Sequence, residues 1–334
     1  MKARVRVFGS AFAALVVLCF LAWPPLTAAA AAATSGEEDD QPRLEFRFDN
    51  DDYAVTSGQI DAAEPQKFSR LAVRLYGGLS RVAAGDVNEG VDGYFELLEI
   101  YESEGLGSLT GGYSPVHMGA NFGADFIYQI SPMIGIGFGI GYLRSSSDSE
   151  LTLAYEGGTF SVEAKPTLSA VPIHLGVFLT FPAAGRISLT ASAGAAYYAG
   201  LKLEGTELTT SSSGYWDERT LSATRSSLAN LGFQGSLGFE YEFSSKIGFF
   251  VEALGRYAKF KNFETVTGTH ESSGGSLETT EGKLYIQTET DPEWSFSIFT
   301  VESTPPVDDV DTTYREPKID LSGFSLQAGI RIRF

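Results

Sequence analysis

The sequence predicts an all-β fold: a transmembrane antiparallel up-and-down β-barrel of eight strands, with ten as the alternative. Three observations predict it. From Phe68 onward, apolar and polar residues alternate with period two in eight long stretches, the pattern of strands with one greasy and one wet face. The connections between these stretches run long, short, long, short, long, short, long. A membrane barrel sorts its connections in this way, whereas a soluble sandwich has no reason to. The last stretch, FSLQAGIRIRF, places Phe324, Leu326, Ala328, Ile330, Ile332 and Phe334 on one face and Ser325, Gln327, Gly329, Arg331 and Arg333 on the other. It stays apolar on one side up to a terminal aromatic, which suits a strand facing lipid outward and a polar lumen inward.

The chain opens with a secretory leader over residues 1–33. Lys2, Arg4 and Arg6 form its positive start, Phe8 to Trp23 its apolar run, and Ala28 to Ala33 offer cleavage sites. The run is too short for a spanning helix. Cys19, the single cysteine, lies inside it, so the mature chain has no thiol for a disulfide or a zinc–cysteine site. Residues 34–66 are rich in Glu, Asp, Gly and Pro and read as a disordered acidic periplasmic segment. A formal charge of -18 argues against a nucleic-acid partner. No later run is long and apolar enough for a membrane helix, and 43% hydrophobic content suits a barrel, in which only alternate residues need be apolar.

The strands follow in order. The first, Phe68 to Val82, sets Leu71, Val73, Leu75 and Leu79 against Arg70, Arg74, Tyr76 and Ser80. The second, Pro115 to Ile130, sets Val116, Met118, Ala120, Phe122, Ala124, Phe126, Tyr128 and Ile130 against His117, Asn121, Asp125 and Gln129. After the turn at Ser131-Pro132, the third alternates Ile134, Ile136, Phe138, Ile140 and Tyr142 with glycines. The fourth sets Val171, Ile173, Leu175, Val177, Leu179 and Phe181 against Pro172, His174, Gly176 and Thr180. The fifth, Arg186 to Leu203, turns Ser188, Thr190, Ser192, Tyr198 and Lys202 inward. The sixth sets Leu231, Phe233, Leu237, Phe239 and Tyr241 against Asn230, Gln234, Ser236, Glu240 and Glu242. The seventh, Lys246 to Phe263, directs Glu252 and Arg256 inward, and the eighth starts at Ile319. Long external loops are expected over residues 83–114, 145–165, 204–225 and 264–318, and an even strand count puts both termini in the periplasm. Tyr128, Tyr142, Phe181, Tyr197, Tyr257 and Phe334 fall where an aromatic girdle meets head groups.

This pattern resembles the small eight-stranded outer-membrane barrels, the OmpA-, OmpX- and OmpW-like superfamily, over about Phe68 to Phe334. The resemblance rests on alternation, turn placement and the terminal aromatic. It implies residence in the bacterial outer membrane, contact with outer-membrane lipid and lipopolysaccharide, and insertion by the barrel-assembly machinery, which reads the terminal Phe334. It leaves the molecular activity open.

The inward charged set is Arg70, Arg74, Asp125, His174, Lys202, Glu240, Glu242, Glu252, Arg256, Arg331 and Arg333. An eight-strand lumen is only about wide enough for side chains to fill, and charges withdrawn from water need partners. The expectation is therefore a plug of ion pairs; the alternative is a narrow path for small solutes, and the glycines of the third strand favour some open space or close approach by a long side chain from across the barrel. The glycines of IGIGFGIG do not form a nucleotide-binding loop, because Ile140 stands where the third glycine of that motif belongs. His117 and His174 fall on the lumen face. His270 sits in the last long loop beside Glu271 and Ser272 and is expected to be solvated; Asp308, Asp309 and Asp311 read as acidic surface. No cofactor or metal is expected. Lys283 to Glu289 and Trp294 to Val301 read as a hairpin around Asp291-Pro292 that extends the barrel wall. The expected role is a non-enzymatic, surface-contacting membrane protein. The alternatives are a channel for small or hydrophobic solutes and an outer-membrane hydrolase or acyltransferase.

Overall fold

The structure, a computed structural model, describes residues 69–225, 227–263 and 265–334; the leader and the acidic segment read from the sequence lie outside them. In chain order its elements are β1 (Leu71–Gly85), α1 (Asp86–Ser103), β2 (Ser108–Gly112), β3 (Met118–Gln129), β4 (Ile134–Ser146), β5 (Ser149–Tyr155), β6 (Gly158–Ala164), β7 (Thr167–Ala184) and β8 (Ile187–Ser211). There follow β9 (Trp216–Arg225), β10 (Leu231–Glu242), β11 (Ile247–Tyr257), β12 (Lys259–Phe260), β13 (Thr265–Ser272), β14 (Glu278–Thr290), β15 (Ser295–Glu302), β16 (Thr312–Arg315) and β17 (Ile319–Arg333).

Eight of these strands close on themselves. The order β1–β3–β4–β7–β8–β10–β11–β17 is antiparallel throughout, and β17 returns to β1 with Ala72 opposite Arg333 and Leu79 opposite Leu326. Closure leaves the barrel wall without an edge. Period-two alternation then sorts the side chains: Leu175 and Leu326 are 68% and 61% exposed on the outer face, while Asp125, Glu240 and Glu252 are buried inside. Short turns, at Ser131 and Ser244 for example, join strands at one end. The long connections gather at the other.

Those long connections are not loops. Residues 83–114 contain α1 and β2, 145–165 a β5–β6 hairpin, 204–225 the continuation of β8 into β9, and 264–318 four strands. They form a crown in which β2, β5, β6, β8, β9, β13 and β14 pair successively, with β15 and β16 flanking the second half of β14. The crown strands pair with one another because unpaired edges would leave backbone groups unsatisfied and open to association. β14 and β15 form the hairpin around Asp291 and pair with crown strands rather than with the barrel. The barrel thus has eight strands, not ten.

Helix α1 joins the two flanks of the crown. Val87, Phe95 and Leu98 bury one stripe at helical spacing, and Asp86 and Glu89 place negative charge in the first turn. Phe95 and Leu98 pack on Leu151, Leu153 and Val162 of β5 and β6. On its other side Gly93 lies so close to β15 that an added Cβ would fall 1.9 Å from the Ser297 carbonyl oxygen. The period of 3.6 was hidden in the sequence by the glycines and acids around it.

Three inward assignments need correction. β8 carries a bulge: Ser169 pairs with Lys202 and Val171 with Ala199, so two residues of β8 oppose one of β7. Gly200 supplies the left-handed conformation (φ 54°). The extra residue reverses the alternation, turning Leu201 and Leu203 inward and Lys202 outward, where it pairs with Glu204 at 2.5 Å. Arg70 precedes β1 at the rim and is exposed. Glu242, at the end of β10, is a rim residue with 41% of its side chain exposed. Val116, read as outward, is buried below α1 because β3 starts only at Met118.

Candidate functional site: a layered lumen

The lumen is filled in layers. The middle layer grows from one transverse row in which Arg74, Asp125, Gly139 and His174 stand opposite one another on β1, β3, β4 and β7. Arg74 Nη2 lies 2.7 Å from Glu252 Oε2 and Nη1 3.6 Å from Asp125 Oδ2; His174 Nε2 lies 2.9 Å from Asp125 Oδ1. Gln327 Nε2 donates to Glu252 Oε1 at 2.5 Å, Ser236 Oγ donates to Oε2 at 3.1 Å, and Asn121 Nδ2 donates to Gln327 Oε1 at 2.7 Å. Gly139 makes room for this row, since a Cβ there would sit 2.4 Å from Asp125 Oδ1 and from His174. The alternating glycines of β4 thus serve packing across the lumen.

Arg74 is also held between rings, its guanidinium carbon 3.9 Å from the Phe250 centroid and 5.7 Å from that of Phe178. Sequence reasoning missed both phenylalanines. Their signal was parity: each occupies an inward position of its strand, where an aromatic breaks the run of small and polar residues.

The second layer lies toward the short-turn end. Glu240 receives Arg331 Nη1 at 2.9 Å and also Arg333 Nη2, which reaches Glu242 at 2.8 Å. Arg331 Nη1 donates as well to Thr180 Oγ1 at 3.3 Å. On the crown side, Arg256 donates from Nε to the Leu321 carbonyl at 2.9 Å and from Nη1 to Ser325 Oγ at 3.0 Å, with Nη2 on Ser80 Oγ. The two layers together set Arg74, Arg331 and Arg333 against Asp125, Glu252, Glu240 and Glu242. On the crown side of them lies an apolar core that includes Val82, Leu143, Leu168, Tyr198, Leu201, Phe260 and Leu321.

Charged side chains with good partners are strongly held, because removing one partner leaves a buried charge unmatched. The arrangement can therefore anchor strands across the lumen and oppose ion passage.

Outside the barrel the crown holds a second polar cluster. His270, expected in a solvated loop, lies on β13 with Nε2 2.6 Å from Asp217 Oδ2 of β9; Arg219 Nε is 3.3 Å from Asp217 Oδ1 and its guanidinium reaches the Tyr94 hydroxyl of α1. Burial raises the Asp217 carboxyl, but the His270 hydrogen bond and Arg219 outweigh it and hold the group below its usual range. Glu207, opposite Arg219, is pushed by burial up to about 8, with Arg219 opposing. His117 Nδ1 bonds the Val82 carbonyl at 3.1 Å. Asp308 and Asp309 accept backbone N–H groups of their own loop, and no metal-holding group of His, Cys, Asp and Glu occurs among the described residues.

The chain forms a closed eight-stranded antiparallel barrel with an apolar exterior and a polar lumen. No family model and no curated protein matches the sequence. Among solved structures the chain is similar to the outer membrane protein OprG from Pseudomonas aeruginosa, at 12% identity and a TM-score of 0.29, over 80% of this chain and 96% of that one. A likeness this loose adds nothing to what the strand pairing establishes.

Proposed function

We propose that this chain is a non-enzymatic integral outer-membrane protein whose barrel is plugged and whose acidic crown makes contacts at the cell surface. The observation that carries the reading is the union of two opposite faces on one wall. Outside, exposed Leu, Ile, Val and Phe residues surround all eight strands, including Leu79, Phe138, Leu175, Phe239, Phe249 and Leu326. A belt of this extent on a monomer marks a lipid boundary. Inside, every acidic group of the two layers has a cationic partner, and an apolar core lies on their crown side.

Both termini then lie in the periplasm and the crown lies outside the cell. The crown has the charge of a surface-contact platform. On α1, Asp92 and Glu96 are pushed above the usual carboxylate range, first by burial and then by neighbouring acids, and Asp86 and Glu89 are drawn to Arg315 at 2.5 and 2.7 Å. Outer-membrane lipid, lipopolysaccharide and the barrel-assembly machinery are the partners this placement implies.

A second reading, a narrow path for small solutes, draws on a small lumen cavity of about 30 Å³ beside Arg74 and Tyr198. Planar-bilayer recording separates the two. The plug predicts a silent membrane after reconstitution; steady openings abolished by Glu252→Ala or Arg256→Ala would replace it with the channel.

A further inference from the structure

On its outer face the barrel wall ends, toward the crown, in a row of cations. Ala120 of β3, Arg144 of β4, Ser169 of β7 and Lys202 of β8 stand opposite one another, and Arg81 of β1, opposite Met118, lies one step further toward the crown. Arg81 and Arg144 are exposed, and among the described residues neither guanidinium has a hydrogen-bond or ion-pair partner. Lys202 is turned into this row by the bulge at Gly200. Its pair with Glu204 joins two well-exposed side chains, a contact worth little in water. Ala120, between the two arginines, presents only a methyl group, so the surface between them is open. On the barrel side the row rests on Leu79 and on Phe122 and Tyr142, whose rings are 5.4 Å apart. The row holds three cations, Arg81, Arg144 and Lys202, and no carboxylate, in a chain whose formal charge is -18.

We propose that this row binds the phosphates of a phosphorylated glycolipid of the outer leaflet, the head group of lipopolysaccharide. The inference rests on the membrane reading above, with the crown outside the cell. Arginine matches phosphate through paired N–H donors, and Ser169 adds a hydroxyl between Arg144 and Lys202. One strand separates Arg81 from Arg144, and one separates Arg144 from Lys202, so each interval across the wall is about 10 Å. That spread suits a head group with more than one phosphate better than a single small anion. A phosphate held here lays its acyl chains along Leu79, Phe122 and Ile173, which are exposed on the same wall. Cations and apolar belt then act on one amphiphile. A free phosphate would meet the charges and leave the belt uncovered. The bulge in β8 acquires a role as well, since without it Lys202 would point into the lumen.

The test uses the full mature chain folded in detergent and titrated with diphosphorylated lipid A, with bound lipid read by native mass spectrometry. A cation near a membrane surface is worth about fivefold in affinity, so Arg81→Gln with Arg144→Gln should weaken lipid A binding about 25-fold. Both side chains are exposed and unpartnered, so the two changes leave the fold intact. Lipid A stripped of its phosphates should lose at least as much on the native chain. Arg186→Gln with Lys246→Gln removes two exposed cations from the short-turn end and should leave binding unchanged. Equal affinity for phosphorylated and dephosphorylated lipid overturns the proposal, because the belt alone then holds the lipid. An equal loss in the two double variants overturns it as a general charge effect. Inorganic phosphate that binds as tightly as lipid A overturns it by assigning the row to a free anion. None of these results touches the membrane reading, which fails instead if the folded chain is a stable monomer without detergent.

Discussion

Glu240 is 1% exposed yet holds two arginines, and a strand wall cannot expel either of them once it is inserted. Glu240→Ala leaves Arg331 and Arg333 without their shared buried partner, so the barrel should lose about 3–5 kcal/mol in urea unfolding from detergent. The double change Glu240→Met with Arg331→Met should lose markedly less, because it removes charge and counter-charge together. A double variant as unstable as the single one would show that the pair acts through packing alone. At this scale much was legible in the sequence. Arg74, Asp125, His174, Glu252, Arg331 and Arg333 alternate strictly with apolar residues, and parity alone assigns them to the lumen. Which of them pair was not legible, because partners such as Arg331 and Glu240 lie 91 residues apart. Parity failed at Lys202, since one bulge residue reverses every side chain beyond it.

At the scale of elements, the crown depends on α1 bridging β15 and the β5–β6 hairpin, with Tyr94 of the helix lying over Arg219 of β9 at 5.3 Å. Glu207 stands beside this contact. Its folded-state pKa of about 8 lies above its ordinary 4.5, so the folded crown holds a proton that the unfolded chain releases. Stability must then fall as pH rises from about 4.5 to about 8, and the penalty is complete above that. Asp217 is shifted the other way, so its contribution is lost only in acid. Limited proteolysis of α1 and the β8–β9 extension should accelerate from pH 5 toward pH 8, with Glu207→Gln removing most of the change. A native crown whose cleavage is flat across that interval would refute the assignment. The elements of the crown were the least legible. Their strands are short, charged on both faces and amphipathic mainly toward one another, and α1 carries two glycines on the side facing β15, where close approach excludes larger residues.

For the whole molecule, the apolar exterior has a direct consequence. The folded chain should require detergent or lipid, and dilution below the critical micelle concentration should cause association rather than yield a stable monomer. A monodisperse, folded, detergent-free monomer would remove the membrane reading altogether. The sequence by itself determined the eight-strand barrel, the inward and outward faces of most of its strands and the end at which long connections gather. These are local properties, written as period-two alternation and turn placement. Only the tertiary structure decided which lumen charges meet, that Phe178 and Phe250 enclose Arg74, that Lys202 faces out, and that the four long connections assemble into a crown closed by a helix. Those outcomes depend on register between strands far apart in the chain and on the space that single glycines and one bulge leave, and no one-dimensional pattern records either.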